Sequence, residues 1–174
     1  GVQLQNGLDI SGSLATDGDL RLRADQIYPA TLSDFTLEVT GAGGTLSILP
    51  GNGNAAPVLS AGGALHLRAD NIVQRGVLKA PIGELDLVAD ERLVLADGSV
   101  TSTSADGQTI LFGRLEAGED WVYALQEQRF RVYTGSGAQP LPQKRITLDG
   151  TDIEVRDGAV VDLSGGGDLL AYEF

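Results

Sequence analysis

Acidic and basic side chains alternate along several short segments, and such a pattern could bind or cleave an acidic polysaccharide. Asp19, Glu84 and Asp86 carry the acidic groups, and Arg21 and Arg68 the basic ones. Glycoside hydrolases place pairs of carboxyl groups beside their substrate. Here these residues recur at repeating positions, which is typical of a solvated surface. We therefore expect no catalytic residue and no enzyme, and keep a polysaccharide lyase or hydrolase as the least favoured alternative.

The chain has one histidine, His66, and no cysteine or methionine. Zinc and haem sites need several nitrogen or sulfur ligands, which this composition does not supply. A serine triad would have to use His66, and no GxSxG turn accompanies it. The sequence therefore predicts no cofactor and no metal site.

Asp25, Asp70 and Asp90 each end a similar phrase, and stacked aspartates can be bridged by calcium. The glycine–aspartate nonapeptides of calcium-binding β-rolls are missing, and Arg23 and Arg68 offset part of the charge. We therefore interpret these aspartates as corner residues.

Residues 119–143 hold the only Trp, two of the four Tyr and one of the four Phe. Aromatic rings interleaved with arginines can stack on sugar rings or dock a protein. We prefer the alternative that these side chains cover an apolar flank of the domain. The candidate contact residues are Trp121, Tyr123, Arg129, Phe130, Arg131 and Tyr133.

Composition excludes several partners. The 174 residues are 42% hydrophobic and carry a formal net charge of −12, so nucleic acid and anionic lipid surfaces are disfavoured. No apolar stretch is long enough to span a membrane, and we expect no membrane insertion. The first residues do not form a signal peptide. We expect the chain to be a segment of a longer protein.

One phrase recurs and predicts repeated strands. It reads GDLRLRAD at 18–25, GALHLRAD at 63–70, GELDLVAD at 83–90 and, more loosely, GTLSILP at 44–50. Within each copy, alternate residues are apolar, as in a half-buried strand. Leu65, Leu67 and Ala69 are predicted to point inward, with His66 and Arg68 outward. Leu85, Leu87 and Ala89 are expected to lie inward as well, with Glu84 and Asp86 outside.

The spacing of the copies indicates a solenoid with about twenty residues per coil. Each coil contains three short strands separated by Gly or Asp corners. We expect an all-β, three-sided parallel β-helix over residues 1–174, with one irregular excursion at 119–143 that forms a strand pair or a helical turn. Two internal ladders are predicted, one of Leu46, Leu65 and Leu85 and another of Ile48, Leu67 and Leu87.

These phrases, with ADQIYPATLSDFTL at 24–37 and DGAVVDLSGGGDLLAYEF at 157–174, resemble the repetitive region of filamentous-haemagglutinin-like exoproteins. Those proteins are the secreted partners of bacterial two-partner secretion. The resemblance covers most of the chain and is weakest at 119–143. It implies a right-handed β-helix, export through an outer-membrane transporter, and a role in adhesion, contact-dependent competition or haem acquisition.

The sequence and its resemblance together predict a structural stalk or interaction segment of a large bacterial exoprotein, secreted or on the cell surface and associated with the outer membrane. The expected partners are the outer-membrane transporter and a glycan or protein on a host or neighbouring cell. The alternative is a carbohydrate-binding module centred on 119–143.

Overall fold

The computed structural model describes residues 10–116, 120–123, 128–130 and 144–172. These residues contain fourteen β-strands and no helix, so the expected all-β class is confirmed. No helix long and apolar enough to cross a bilayer occurs within the described ranges. The strands are β1 Ser11–Thr16, β2 Leu20–Ala24, β3 Asp34–Val39, β4 Thr45–Pro50, β5 Ala64–Gln74, β6 Val77–Lys79, β7 Glu84–Leu95, β8 Val100–Ser102, β9 Thr109–Glu116, β10 Asp120–Tyr123, β11 Gln128–Phe130, β12 Arg145–Val155, β13 Val160–Asp162 and β14 Asp168–Tyr172.

Most strand pairs are parallel, and they form three sheets. The largest sheet has seven strands and is curled like half of a barrel. Its first half has the order β1–β3–β5–β7–β12, and its second half has β2–β4–β5–β7–β12. Strands β5, β7 and β12 serve both halves because each is long and shifts register in its middle, for example between Ala69 and Asn71. A second sheet is β6–β8–β13, also parallel, and in the third β14 pairs with β9.

The chain therefore crosses the large sheet five times, and each crossing is called a pass. Pass one contains β1 and β2, pass two β3 and β4, pass three β5 and β6, pass four β7 to β9, and pass five β12 to β14. Ile27 of pass one bridges to Leu78 of pass three, so pass two contributes no strand at that point among the described residues.

The predicted inward residues of the repeated phrases are buried. Leu65, Leu67 and Ala69 lie in the main apolar cluster, and the corresponding residues of β7, Leu85, Leu87 and Ala89, pack there too. Alternation within a strand sends successive side chains to opposite faces, so the apolar period of two was sufficient to identify this face.

The predicted ladders are wrong in one respect. Leu65 does stand beside Leu85, but Leu46 pairs with Leu20 and Ile72 in the other half of the sheet. Ile48 likewise pairs with Leu22 and Gln74. The recurring phrase therefore occupies the second strand of passes one and two but the first strand of passes three and four. An alternating segment fits either half equally well, so its local pattern does not reveal which neighbour it takes.

The passes also differ in length. Ser11 pairs with Asp34, Asp34 with Ala64, Ala64 with Glu84 and Glu84 with Arg145, so successive passes begin 23, 30, 20 and 61 residues apart. The predicted spacing of about twenty holds only between passes three and four. Loops can grow on the outside of a repeat without disturbing the strands, because loop-closure entropy rises slowly with length.

The described part of the excursion at 119–143 contains two short strands. Strand β10 pairs antiparallel with both β9 and β11. Among the described strands this is the only place where neighbours run in opposite directions. The segment therefore departs from the parallel pattern of the passes.

Candidate functional site

The predicted contact residues of the excursion fall partly on described strands. Trp121 and Tyr123 belong to β10, and Arg129 and Phe130 belong to β11. The backbone register sets Trp121 opposite Phe130 and opposite Leu115 of β9. Arg131 and Tyr133 lie outside the described residues. The backbone thus brings two of the four aromatic candidates into one antiparallel pair.

A dense group of titratable side chains lies elsewhere, on the outer face of the large sheet. This His66 cluster consists of Asp34, His66, Glu84, Asp86 and Arg145. His66 Nδ1 lies 2.9 Å from Asp86 Oδ2, and its Nε2 lies 3.3 Å from Asp34 Oδ1. Arg145 Nη2 donates to Glu84 Oε2 at 2.7 Å and to Asp86 Oδ2 at 3.2 Å.

Strand register brings the His66 cluster together. His66 in β5 stands between Thr36 of β3 and Asp86 of β7, and Arg145 of β12 stands beside Glu84. Every second residue of a strand faces outward, so outward residues of neighbouring strands form rows across the sheet. The outward positions of His66, Glu84 and Asp86 were predicted from the sequence. Asp34 and Arg145 were missed, because only the register shows that they are neighbours.

Asp86 is the most buried acid of the His66 cluster, with its side chain 12% exposed. Burial by itself raises the pKa of Asp86. The hydrogen bond from Thr147 and the positive charge of Arg145, together with His66, outweigh that effect, and the pKa lies below the ordinary value of an aspartate. Asp86 is therefore held as a carboxylate.

The geometry of the His66 cluster explains cohesion better than catalysis. Both ring nitrogens of His66 face carboxylates, and Asp86 is engaged by both His66 and Arg145. The five residues come from passes two to five, so the cluster links four neighbouring passes on their outer face. We interpret it as an ion-pair network that adds to the backbone ladder.

A polar groove of about 300 Å³ runs along the second sheet. Ser102 Oγ donates to Asp162 Oδ2 at 3.0 Å, and Ser164 Oγ donates to Ser104 Oγ at 3.0 Å. Hydrogen bonds from Ser164, followed by one from Ser102, lower the pKa of Asp162. These groups satisfy one another across passes four and five, which again favours cohesion.

Gln74 is a buried polar residue that sequence reasoning missed. Its Nε2 donates to the carbonyl oxygens of Gly76 and Val100, and its Oε1 accepts from the Gly76 amide at 2.9 Å. The amide side chain thus ties β5 to the turn that follows and to β8 of the next pass. The sequence offered one signal for this role: Gln74 occupies an inward position of its strand, and a polar side chain buried there must find hydrogen-bond partners.

Two of the three corner aspartates accept hydrogen bonds from backbone amides. Asp25 Oδ1 accepts from the Gly53 amide at 2.7 Å, and Asp70 Oδ2 accepts from the amide of Gly43. Asp70 and Asp90 line one shallow groove, whereas Asp25 lies at the end of β2. Within the described part of the chain, no group of three or more acidic, histidine or cysteine side chains is arranged to hold a metal ion.

A cavity of about 580 Å³ lies beneath pass one. Its lining is mainly apolar and includes Leu22, Ile27, Tyr28, Phe35 and Leu37. Leu37 is fully covered, while Leu22 and Ile27 are only half-buried. The cavity is an incompletely covered part of the main core.

No protein-family model, curated protein or solved structure matches this chain at a significant level.

Proposed function

We propose that this chain is a rigid structural segment, built as a right-handed parallel β-helix, of a large secreted or cell-surface bacterial exoprotein. In this proposal it acts as a stalk that holds an adhesive or toxic part of the parent protein away from the cell. Its parent belongs with the filamentous-haemagglutinin-like exoproteins and leaves the cell through an outer-membrane transporter.

One observation carries the proposal: the same three-step path recurs in successive passes. In pass three the chain runs through β5, bends near Asp70, continues to Gln74 and then forms β6. Pass four repeats this path through β7 and β8, and pass five through β12 and β13, all with parallel partners. Parallel stacking of equivalent segments is the arrangement expected of a coil.

The turns that lead into the first strand of a pass also repeat. Leu32, Gly62 and Ile82 each lie two residues before such a strand, and their φ angles are +53°, +71° and +53°. A positive φ costs energy for a branched residue. Leu32 and Ile82 recover part of that cost by packing against a second apolar cluster that contains Ile110 and Phe112. The recurrence of a turn with a positive φ at the same position supports a repeating coil.

The proposed mechanism is mechanical. Backbone hydrogen bonds join each pass to the next, and an aliphatic core fills the interior. Stability in a stacked repeat is roughly a sum of unit and neighbour terms, so a longer stack is more stable. The net charge of −12 keeps the outside well hydrated.

Duplication of one coil tests this architecture. Residues 64–83 span one pass, from Ala64 to the residue before its partner Glu84. A tandem copy of 64–83 is expected to add one parallel strand to the large sheet and one to the second sheet, to lengthen the particle by about 4.8 Å and to raise the melting temperature. Small-angle X-ray scattering measures the length, and circular dichroism measures the melting.

The matched control inserts twenty Gly and Ser residues between positions 83 and 84. That insertion adds the same chain length without apolar alternation, so it is expected to form a loop and leave the particle length unchanged. Unfolding or shortening on duplication of 64–83, with the control still folded, would contradict the coil.

A carbohydrate-binding module is the second candidate, favoured by the antiparallel pairing of β10 with β11, which sets Trp121 opposite Phe130. Replacement of residues 119–143 by a short Gly–Ser turn provides the comparison. Glycan binding by the intact chain alone, on an array of bacterial and host polysaccharides, would favour this candidate. Absence of binding by both folded proteins would leave the stalk role.

A further inference from the structure

Three arginines line one groove of the large sheet, although the chain as a whole is acidic. The groove has a volume of about 450 Å³, and its lining includes Arg23, Arg75 and Arg156 together with Leu49, Ala96 and Asp97. Three of the 12 basic side chains thus share it with one of the 24 acidic ones, so the groove is locally basic.

The arginine side chains face outward. The residue before each of them belongs to one inward row, which contains Leu22, Gln74 and Val155. Successive residues of a strand point to opposite faces, so the arginines lie on the outer face, where all three are exposed. Stacking against pass one or pass five covers the ends of the sheet and not this face.

The three arginines form one row across the passes, called the arginine row. Arg23 of pass one pairs with Leu49 of pass two. The register then leads to Arg75 of pass three, Ala96 of pass four and Arg156 of pass five. Neighbouring strands lie about 4.8 Å apart, so an arginine recurs about every 9.6 Å, with an aliphatic residue at each pass between.

Two of the three arginines are held in place by the chain itself. Arg23 Nη1 donates to the carbonyl oxygen of Pro50 at 3.0 Å, and Arg156 Nε donates to Glu154 Oε1 at 2.8 Å. Within the described ranges, the side chain of Arg75 has no hydrogen-bond or ion-pair partner. The central guanidinium of the arginine row therefore keeps its donors for a ligand.

We propose that the arginine row binds an acidic polysaccharide, namely an extended β-1,4-linked polymer of uronic acids. The planar guanidinium group matches a carboxylate through two parallel hydrogen bonds. In an extended β-1,4-linked chain each sugar ring is turned over relative to the last, so carboxylates point to one side at every second ring. Two such rings are close in length to two strand spacings.

The spacing argues against an acidic peptide as the ligand. An extended peptide presents side chains on one face about every 6.8 Å, which does not match a repeat of about 9.6 Å. The polysaccharide matches the arginine row at about one sugar ring per pass, over the roughly 19 Å from Arg23 to Arg156.

The residues between the arginines suit the sugar rings themselves. Leu49 is half-buried and lies between Arg23 and Arg75, and Ala96 lies between Arg75 and Arg156. Pyranose rings carry apolar C–H faces that pack on aliphatic surfaces. The arginine row thus alternates a partner for a carboxylate with a partner for a ring.

The acidity of the rest of the chain does not prevent this binding. Exposed charges are largely screened beyond about 8 Å at physiological ionic strength, so the nearby arginines act on the ligand more strongly than distant acids. Asp97 is the one acidic residue of the groove lining and offsets part of the positive charge. The site lies on the passes and not at 119–143, so it is distinct from the carbohydrate-binding candidate above. It is also independent of the stalk role.

Titrations of the full chain, followed by amide chemical shifts in calcium-free buffer, test the proposal with three oligosaccharides of equal length. Hexamannuronate is β-1,4-linked and acidic, cellohexaose has the same linkage without carboxylates, and hexagalacturonate is acidic but α-1,4-linked. Hexamannuronate is expected to bind most tightly, with shifts around Arg75 and Leu49, and to bind more weakly as NaCl is raised.

Arg75→Gln removes the central guanidinium and is expected to weaken the binding of hexamannuronate about fivefold, the upper end of what an exposed ion pair contributes. The matched control is Arg68→Gln. Arg68 is exposed on the same strand, β5, but does not line the groove, and its replacement removes the same charge. The control is expected to bind as the wild type does.

Absence of binding by hexamannuronate would overturn the proposal, as would equal binding by cellohexaose. Equal binding by hexagalacturonate would refute the match of spacing. Equal weakening by Arg75→Gln and Arg68→Gln would show an effect of net charge alone, and shifts confined to β10 and β11 would place the site on the excursion. None of these results bears on the coil, which the duplication of 64–83 tests separately.

Discussion

Leu67 offers the sharpest test of how the core is built. Its side chain is fully buried in β5, between Leu37 of β3 and Leu87 of β7. Leu67→Ala removes apolar atoms from a position that contacts both neighbouring passes, and such truncations cost about 2–5 kcal/mol of unfolding free energy. In a chain of this size, each kcal/mol lowers the melting temperature by roughly 2–4 °C, so a fall of roughly 4–20 °C is expected. Leu67→Asp would bury an unpaired carboxylate and is expected to unfold the neighbouring passes.

The matched control is Leu59→Ala, because Leu59 is 68% exposed. Its truncation should change the unfolding free energy by at most about 0.5 kcal/mol. Thermal melts followed by circular dichroism give the two shifts. Hydrogen exchange measured by mass spectrometry then locates the damage, which in a stacked repeat falls on neighbouring units. We expect lost protection in β3, β5 and β7 and retained protection in β13.

Equal melting temperatures for the wild type and Leu67→Ala would refute the inward assignment of the repeated phrase. Uniform loss of protection across all described strands would instead refute the repeat-like distribution of stability.

Two further predictions concern the outer face and a close approach of two passes. Asp86→Asn removes the charge that Arg145 and His66 bind, so we expect a loss of about 1–3 kcal/mol at pH 7. Because the pKa of Asp86 is lower in the folded chain, its stabilising effect is complete above the ordinary aspartate pKa and is lost as the pH falls through the folded value. The difference from wild type in urea midpoints should therefore vanish in strong acid, and a constant difference would contradict the assignment. Gly83→Ala would place a Cβ atom 2.1 Å from the Gly63 carbonyl oxygen. We expect this clash to lower the unfolding free energy by about 1–3 kcal/mol, measured by urea unfolding at neutral pH. Gly18→Ala, whose Cβ atom meets nothing within 4 Å, is its control and should be nearly neutral.

The sequence predicted those features that depend on neighbours within one segment. Apolar alternation identified Leu65, Leu67 and Ala69 as inward and His66 as outward, because side chains alternate between the two faces of any strand. The carboxylate at Asp70 was predicted to stand at a corner, and it lies where β5 shifts register.

The tertiary structure decided which segments became neighbours. Leu46 and Leu65 have the same local pattern, yet they stand in different halves of the sheet. Arg145 reaches Asp86 across 59 residues of chain. Neither segment specifies this separation along the sequence, because the loop between them can vary in length at small entropic cost.

Local alternation is a property of a few consecutive residues, so the sequence alone determined the all-β class and the inward face of the repeated phrases. Register is a property of pairs of strands that compete for the same edges. The rows of the core and the His66 cluster were therefore decided only by the tertiary structure, where backbone pairing selects one partner among several segments of similar pattern.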